Sequence, residues 1–182
     1  MLTVLMLTII LTVIGIAAIT STVMDMKMAG GERVREITVS AGEACMSTGV
    51  QIIQQTLLNS AIPATLSGGG TTITTNPLQA EILGQSDGNL DSADPAVSGN
   101  APNASLVLAG YTVTMDIDRL YAKPVSGGSA AGAAGYEGTG AAGSVQIMYR
   151  IDCYAQNAAG ATSHLSGLYA CVATGSSCQR KI

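Results

Sequence analysis

The chain has 182 residues, a formal net charge of −4, 47% hydrophobic residues and only 11% charged ones. Charged residues usually make up about a quarter of a soluble domain, and the length allows one domain with an appendage. With only 8 Lys and Arg against 12 acids, the clustered basic face that nucleic acid requires is excluded.

From Met1 to Met24 no side chain carries a charge, and Asp25 is the first that does. As a helix this run spans roughly 36 Å, enough to cross a bilayer. A cleavable secretory signal needs a basic start, a shorter apolar core and a small-residue exit site. None of these stands here, and the run continues into helical sequence. The missing basic flank is expected if a leader has been removed, with Met1 as the mature start.

Residues 25–62 are expected to form the amphipathic half of the same helix. Apolar residues at Val34, Ile37, Ala41, Ala44, Met46, Val50, Ile53, Leu57 and Leu58 recur mostly at spacings of three and four, which predicts one apolar stripe. Glu32 with Arg35 and Arg33 with Glu36 form i,i+3 pairs on the other side. Gly15, Gly30 and Gly31 are weak points, each costing about 1 kcal/mol relative to Ala, and allow bending or local unwinding. Asn59, Ser60 and Pro63 end the element. The predicted helix is roughly 85–90 Å long. Its first half must be buried either in lipid or among copies of itself, and the residues alone leave both open. The side chains expected to make that contact are Met1, Leu2, Val4, Leu5, Leu7, Ile9, Ile10, Leu11, Val13, Ile14, Ile16 and Ile19.

Residues 63–104 are rich in Gly, Ser, Thr, Asn and Asp and read as a connecting loop region, with one short strand at 71–75. Three strands are predicted after it, at Ser105–Ala122, Ser144–Gln156 and Ser163–Thr174, the last two joined as a hairpin through Asn157–Thr162. Residues 105–182 are therefore expected to form an antiparallel sheet domain. Residues 124–144 read as a Gly/Ala-rich surface loop without a core of its own. The predicted fold is α+β, a long N-terminal helix packed by its second half on a small antiparallel sheet.

Four cysteines, Cys45, Cys153, Cys171 and Cys178, show no metal-binding spacing, and His164 is the only histidine. Zinc and haem sites are thereby disfavoured, and no cofactor is expected. In an exported chain two disulfides are expected. Sequence leaves three pairings open. Cys45 clipped to a sheet cysteine, with Cys178 holding the C-terminal tail, is preferred. Asp87, Asn89, Asp91 and Asp94 have the spacing of an oxygen-rich calcium loop but lack its closing bidentate Glu, so a solvated loop is the preferred reading. Asn103-Ala104-Ser105 is an N-glycosylation acceptor sequence. No nucleophile or acid is tied to His164 by any motif, so the chain is not expected to be an enzyme. No tyrosine precedes Tyr111, which leaves the helix without aromatics for electron conduction.

The uncharged run with Gly15, then Lys27-Met28-Ala29-Gly30-Gly31, Arg33, Arg35 and Ala41-Gly42-Glu43-Ala44, resembles the start of type IV pilins, and more specifically of PilX-type minor pilins. The resemblance covers about the first 46 residues. The closing "YRIDCYAQNAAGATSHLSGLYACV" is more weakly similar to that family's last hairpin. The resemblance implies a structural subunit of an extracellular filament on the cell surface, held in the inner membrane before the assembly machinery extracts it. Partners would be copies of itself or other pilins. The alternative is a minor or tip pilin, or a membrane-tethered module that binds surfaces. Most pilins carry a glutamate a few residues into the mature chain. Here that region reads Thr3-Val4-Leu5-Met6, which fits a minor or tip subunit, or a principal subunit packing by apolar contact alone.

Overall fold

The computed structural model describes residues 1–86, 92–97, 102–124, 145–174 and 177–180. Helix α1 runs over Leu2–Asn59, followed by a single 3-10 turn at Ala64–Leu66. Strand β1 (Thr71–Ile73) precedes helix α2 (Thr75–Leu83). Strands β2 (Ala104–Leu108), β3 (Tyr111–Pro124), β4 (Val145–Asn157), β5 (Thr162–Thr174) and β6 (Ser177–Arg180) follow. The expected α+β arrangement, a long N-terminal helix and an antiparallel sheet, is the one found. The chain divides into two compact units, Met1–Ile37 and Thr38–Ile182.

Within the second unit, all six strands lie in one antiparallel sheet in chain order, β1-β2-β3-β4-β5-β6. Short turns return β3 beside β2, β5 beside β4 and β6 beside β5, whereas α2 lies between β1 and β2 and residues 125–144 lie between β3 and β4. Along β4 the side chains alternate from Val145 to Ala155, odd positions buried and even ones more open. The buried set of Tyr149, Ile151 and Cys153 joins Val113, Met115 and Ile117 of β3, Cys45, Ile52 and Ile53 of α1, and Leu78 and Ile82 of α2. One sheet face thus forms the core with both helices, and burial of these large apolar side chains is the main source of its stability.

The expected stripe on α1 is found in part: Ala41 and Ile53 are buried, and Met46, Val50 and Leu57 pack partly buried against the core. The residues buried are Thr38, Ala41, Gly42, Cys45, Gly49, Ile52, Ile53 and Thr56, while Val34, Ile37, Ala44 and Leu58 are exposed. Small residues occupy the contact because the sheet approaches the helix backbone closely. A Cβ at Gly42 would lie 2.5 Å from Leu165 Cδ1, and one at Gly49 would lie 2.9 Å from Ile151 Cγ2. Hydrophobicity alone missed these positions, since glycine and threonine do not register as core.

Two further expectations are corrected. The predicted strand Ser105–Ala122 is two strands, turned at Ala109 (φ 47°) and Gly110 (φ 86°) so that Leu108 pairs with Tyr111. Two consecutive positive φ values make a two-residue hairpin turn whose twist matches the strands. The 63–104 region, expected as loop, also contains α2. Pro77 falls in its first turn, where a missing N–H costs little. Gly84 closes it in the left-handed conformation (φ 74°), donating to the Ala80 and Glu81 carbonyls.

Candidate functional site

Every residue from Met1 to Ile37 is exposed, although the segment is the most apolar in the chain. Leu2–Asn59 is long and apolar enough, by length and composition, to cross a membrane. The side chains expected to make the assembly contact lie here. Leu2 is 76% exposed and Ile19 66%, and Val4, Leu5, Leu7, Ile9, Ile10, Leu11, Val13, Ile14 and Ile16 are all more than half exposed. Helix geometry alone explains why they form a continuous surface, since consecutive side chains step around the axis every 3.6 residues. A soluble protein does not leave so large an apolar patch in water without a partner.

Four hydroxyls of the same segment are bonded internally. Thr8 and Thr12 donate their hydroxyls to the Leu5 and Ile9 carbonyls at 2.9 and 2.8 Å. Thr20 donates to the Ile16 and Ala17 carbonyls and Thr22 to the Ala18 carbonyl. A hydroxyl bonded to its own backbone demands no water, which is the condition for burial in an apolar medium. Gly15, Gly30 and Gly31 lie inside an unbroken helix, and a Cβ at any of them would meet nothing within 4 Å.

In the Thr38–Ile182 unit, the preferred cysteine pairing is partly observed. Cys45 of α1 is bonded to Cys153 of β4 (S–S 1.98 Å, Cα–Cα 6.2 Å), both fully buried. Cys171 is also disulfide-bonded. The side chain of Cys178 lies outside the described residues. Around the staple, Gln54 Nε2 donates to the Tyr169 hydroxyl at 2.9 Å, and Ser163 Oγ donates to the Thr38 carbonyl at 3.0 Å. Tyr149 donates to the Ile82 carbonyl at 2.9 Å. Burial pushes the Tyr149 phenol well above its usual range, opposed in part by the charge of Arg119 and helped by Tyr169.

The other face of the sheet carries a charged network that pattern reading passed over as an ordinary polar face. Asp116 pairs across with Asp152, and Asp118 with Arg150. Asp116 and Asp118 are buried, and the carboxylates of Asp116, Asp118 and Asp152 offer oxygens within 4.8 Å of one another. Such oxygens can hold a cation in principle. Here the Arg150 guanidinium already sits among them, ion-paired to Asp118 and 3.0 Å from Asp152 Oδ2. Burial works against the Arg150 charge, and the hydrogen bond and charge of Asp118, with Asp152 and Asp116 behind it, outweigh burial and raise its pKa. His164 Nε2 stands 3.9 Å from Asp152 Oδ1 and carries no other acidic partner among the described residues.

One sequence-derived site changes, and another falls mostly outside the described residues. Asn103 is 1% exposed, and its side-chain oxygen accepts the Ile117 N–H at 2.8 Å. In the folded chain this carboxamide is a structural bridge and not a presented glycan acceptor. The proposed calcium-loop residues Asp87, Asn89 and Asp91 lie outside the described residues. Asp94 is described, and its Oδ1 accepts the Ala96 N–H at 2.9 Å, a local turn bond.

Residues 1–46 match the family model described as PilX N-terminal, about a quarter of the chain. The opening stretch is thus similar to the N-terminal region of PilX-type type IV pilins. No curated protein and no solved structure matches the chain.

Proposed function

We propose that this chain is a structural, non-catalytic subunit of a type IV pilus-like filament. Residues 1–24 lie in a membrane before assembly and are buried among neighbouring pilin helices afterwards. The observation that carries this reading is the exposed, uncharged first half of α1, with its hydroxyls turned back onto its own carbonyls. Such a surface is equally at home in lipid and in a bundle of helices like itself. Transfer between the two carries no large hydrophobic penalty, so packing and the assembly machinery decide the direction. The PilX-type opening favours the role of a minor subunit that co-assembles with other pilins. The sheet unit then lies at the filament surface, outside the cell.

The test is electron microscopy of filaments from cells carrying an epitope-tagged full-length chain, beside the same chain lacking residues 2–24. The expected result is label along or at the end of filaments for the first and a dispersed soluble protein for the second. Full-length chain that stays a dispersed membrane monomer, with filaments present and unlabelled, would sink the proposal. Label confined to filament ends selects the tip role over the distributed one.

A further inference from the structure

Sulfur is unevenly placed in this chain. Of 8 methionines, Met24, Met26 and Met28 fall within five residues, alternating with Asp25 and Lys27 directly after the uncharged run. Their side chains are 67%, 70% and 59% exposed, whereas Met115 in the sheet core is 0% exposed. At 3.6 residues per turn, Met24 and Met28 share one side of the helix and Met26 lies on another. The apolar segment therefore ends in thioethers facing several directions, and a neighbour packing at that level, lipid or helix, meets one. Methionine suits such a place because its flexible chain packs against varied partners. It also differs from Val23 beside it in one chemical respect, since a single oxygen atom makes it polar.

We infer that Met24, Met26 and Met28 form an oxidation site that controls burial of the first half of α1. This inference rests on the assembly reading above. The modifying agent is of the peroxide class. A sulfur lone pair attacks one peroxide oxygen and the O–O bond breaks. The sulfur is oxidised to a sulfoxide, and the peroxide is reduced, leaving as water once the departing oxygen takes up its proton. The new S–O group is a strong acceptor, and Lys27 is the one cationic donor interleaved with the three of them. Burying each such acceptor unpaired weakens packing by a factor of about ten. The modification is reversible by sulfoxide reductases, so it delays assembly and does not destroy the subunit.

The experiment uses full-length protein in detergent, with and without hydrogen peroxide. Mass spectrometry locates the oxygen, and incorporation into filaments is measured after detergent removal with the partner pilins present. Sulfoxide is expected at Met24, Met26 and Met28 and not at Met115. Incorporation is expected to fall at least about tenfold and to recover with sulfoxide reductases. Met6 of the same helix is 61% exposed, so the comparison is made in a Met6→Leu background, in which a further Met24→Leu/Met26→Leu/Met28→Leu variant is expected to assemble equally well before and after peroxide. Oxidised wild-type protein that assembles normally overturns the inference, as does a triple variant that loses assembly on oxidation to the same extent. Untreated protein that never assembles sinks the assembly reading instead, which keeps the two failures distinct.

Discussion

Helix α1 spans both compact units, and its two parts are built for different solvents. In Met1–Ile37 every residue is exposed, and from Leu2 to Ile19 large aliphatic side chains dominate. In the part beyond Thr38 the buried positions include Thr38, Ala41, Gly42, Gly49 and Thr56, residues small enough for the sheet to reach the helix backbone. Bulk serves a surface awaiting an undefined neighbour, whereas smallness serves a contact already made. The difference teaches that apolar character alone does not mark the core of this chain.

The comparison breaks most visibly when a charge is placed in the first unit. Ile14→Lys puts an ammonium in the middle of the uncharged run, where a basic residue costs about 2.5–3.5 kcal/mol in a membrane helix. Incorporation into filaments and membrane retention are both expected to collapse, measured by fractionation, while the melting of the sheet unit stays unchanged. A parallel loss of sheet stability would show that the two parts are not separate in function.

Next in size is the staple. Removing Cys45–Cys153 with Cys45→Ser/Cys153→Ser frees a closed loop with a sequence separation of 108. Native disulfides of small secreted domains contribute about 2–5 kcal/mol, so a marked drop in denaturant midpoint is expected. Membrane partitioning of residues 1–24 is expected to be unaffected.

Glycines sharpen the contrast because adding a side chain has opposite signs in the two units. Gly49→Val presses on Ile151 and Met115 and is expected to destabilise by about 1–3 kcal/mol in thermal or denaturant melts. Gly15→Ala meets nothing within 4 Å and is expected to raise helix stability by up to about 1 kcal/mol, read by circular dichroism in detergent. Equal effects at both positions would erase the distinction.

The smallest effect concerns alkaline pH. An ordinary phenol titrates near 10.0, and burial holds Tyr149 above that value in the folded unit. The folded state therefore keeps a proton that the unfolded chain has given up. This contribution is intact below pH 10.0 and is lost as pH rises beyond it. Tyr149→Phe is expected to lower stability by about 1 kcal/mol at neutral pH, through the lost bond to the Ile82 carbonyl. It should also flatten the alkaline decline, measured as the denaturant midpoint against pH.

Much of this was legible in the sequence where one physical signal stood alone. The uncharged run to Met24, the alternation of β4 and the hairpin at Asn157–Thr162 follow from charge and period. The small-residue contacts of α1 were not legible, because whether Gly49 is a seat for Ile151 depends on a strand distant in sequence. Helix α2 was hidden by the loop-like residues on its flanks, although Pro77 and Gly84 are suitable start and stop signals. The Asp118–Arg150–Asp152 network needs the cross-strand register of β3 and β4, which alternation along one strand does not supply. The turn at Ala109 and Gly110 was overlooked because alanine rarely takes positive φ.

The Cys45–Cys153 bond has a mechanical meaning once the helix is pulled. A tensile force carried along residues 38–59 would otherwise reach the sheet only through side-chain contacts, which slide or peel one at a time. Through the sulfurs it enters β4, the strand laddered to β3 on one side and β5 on the other, and is shared by hydrogen bonds loaded together. Under strain, the sheet can be stripped from residues 38–59 only by breaking a covalent link or unravelling its middle.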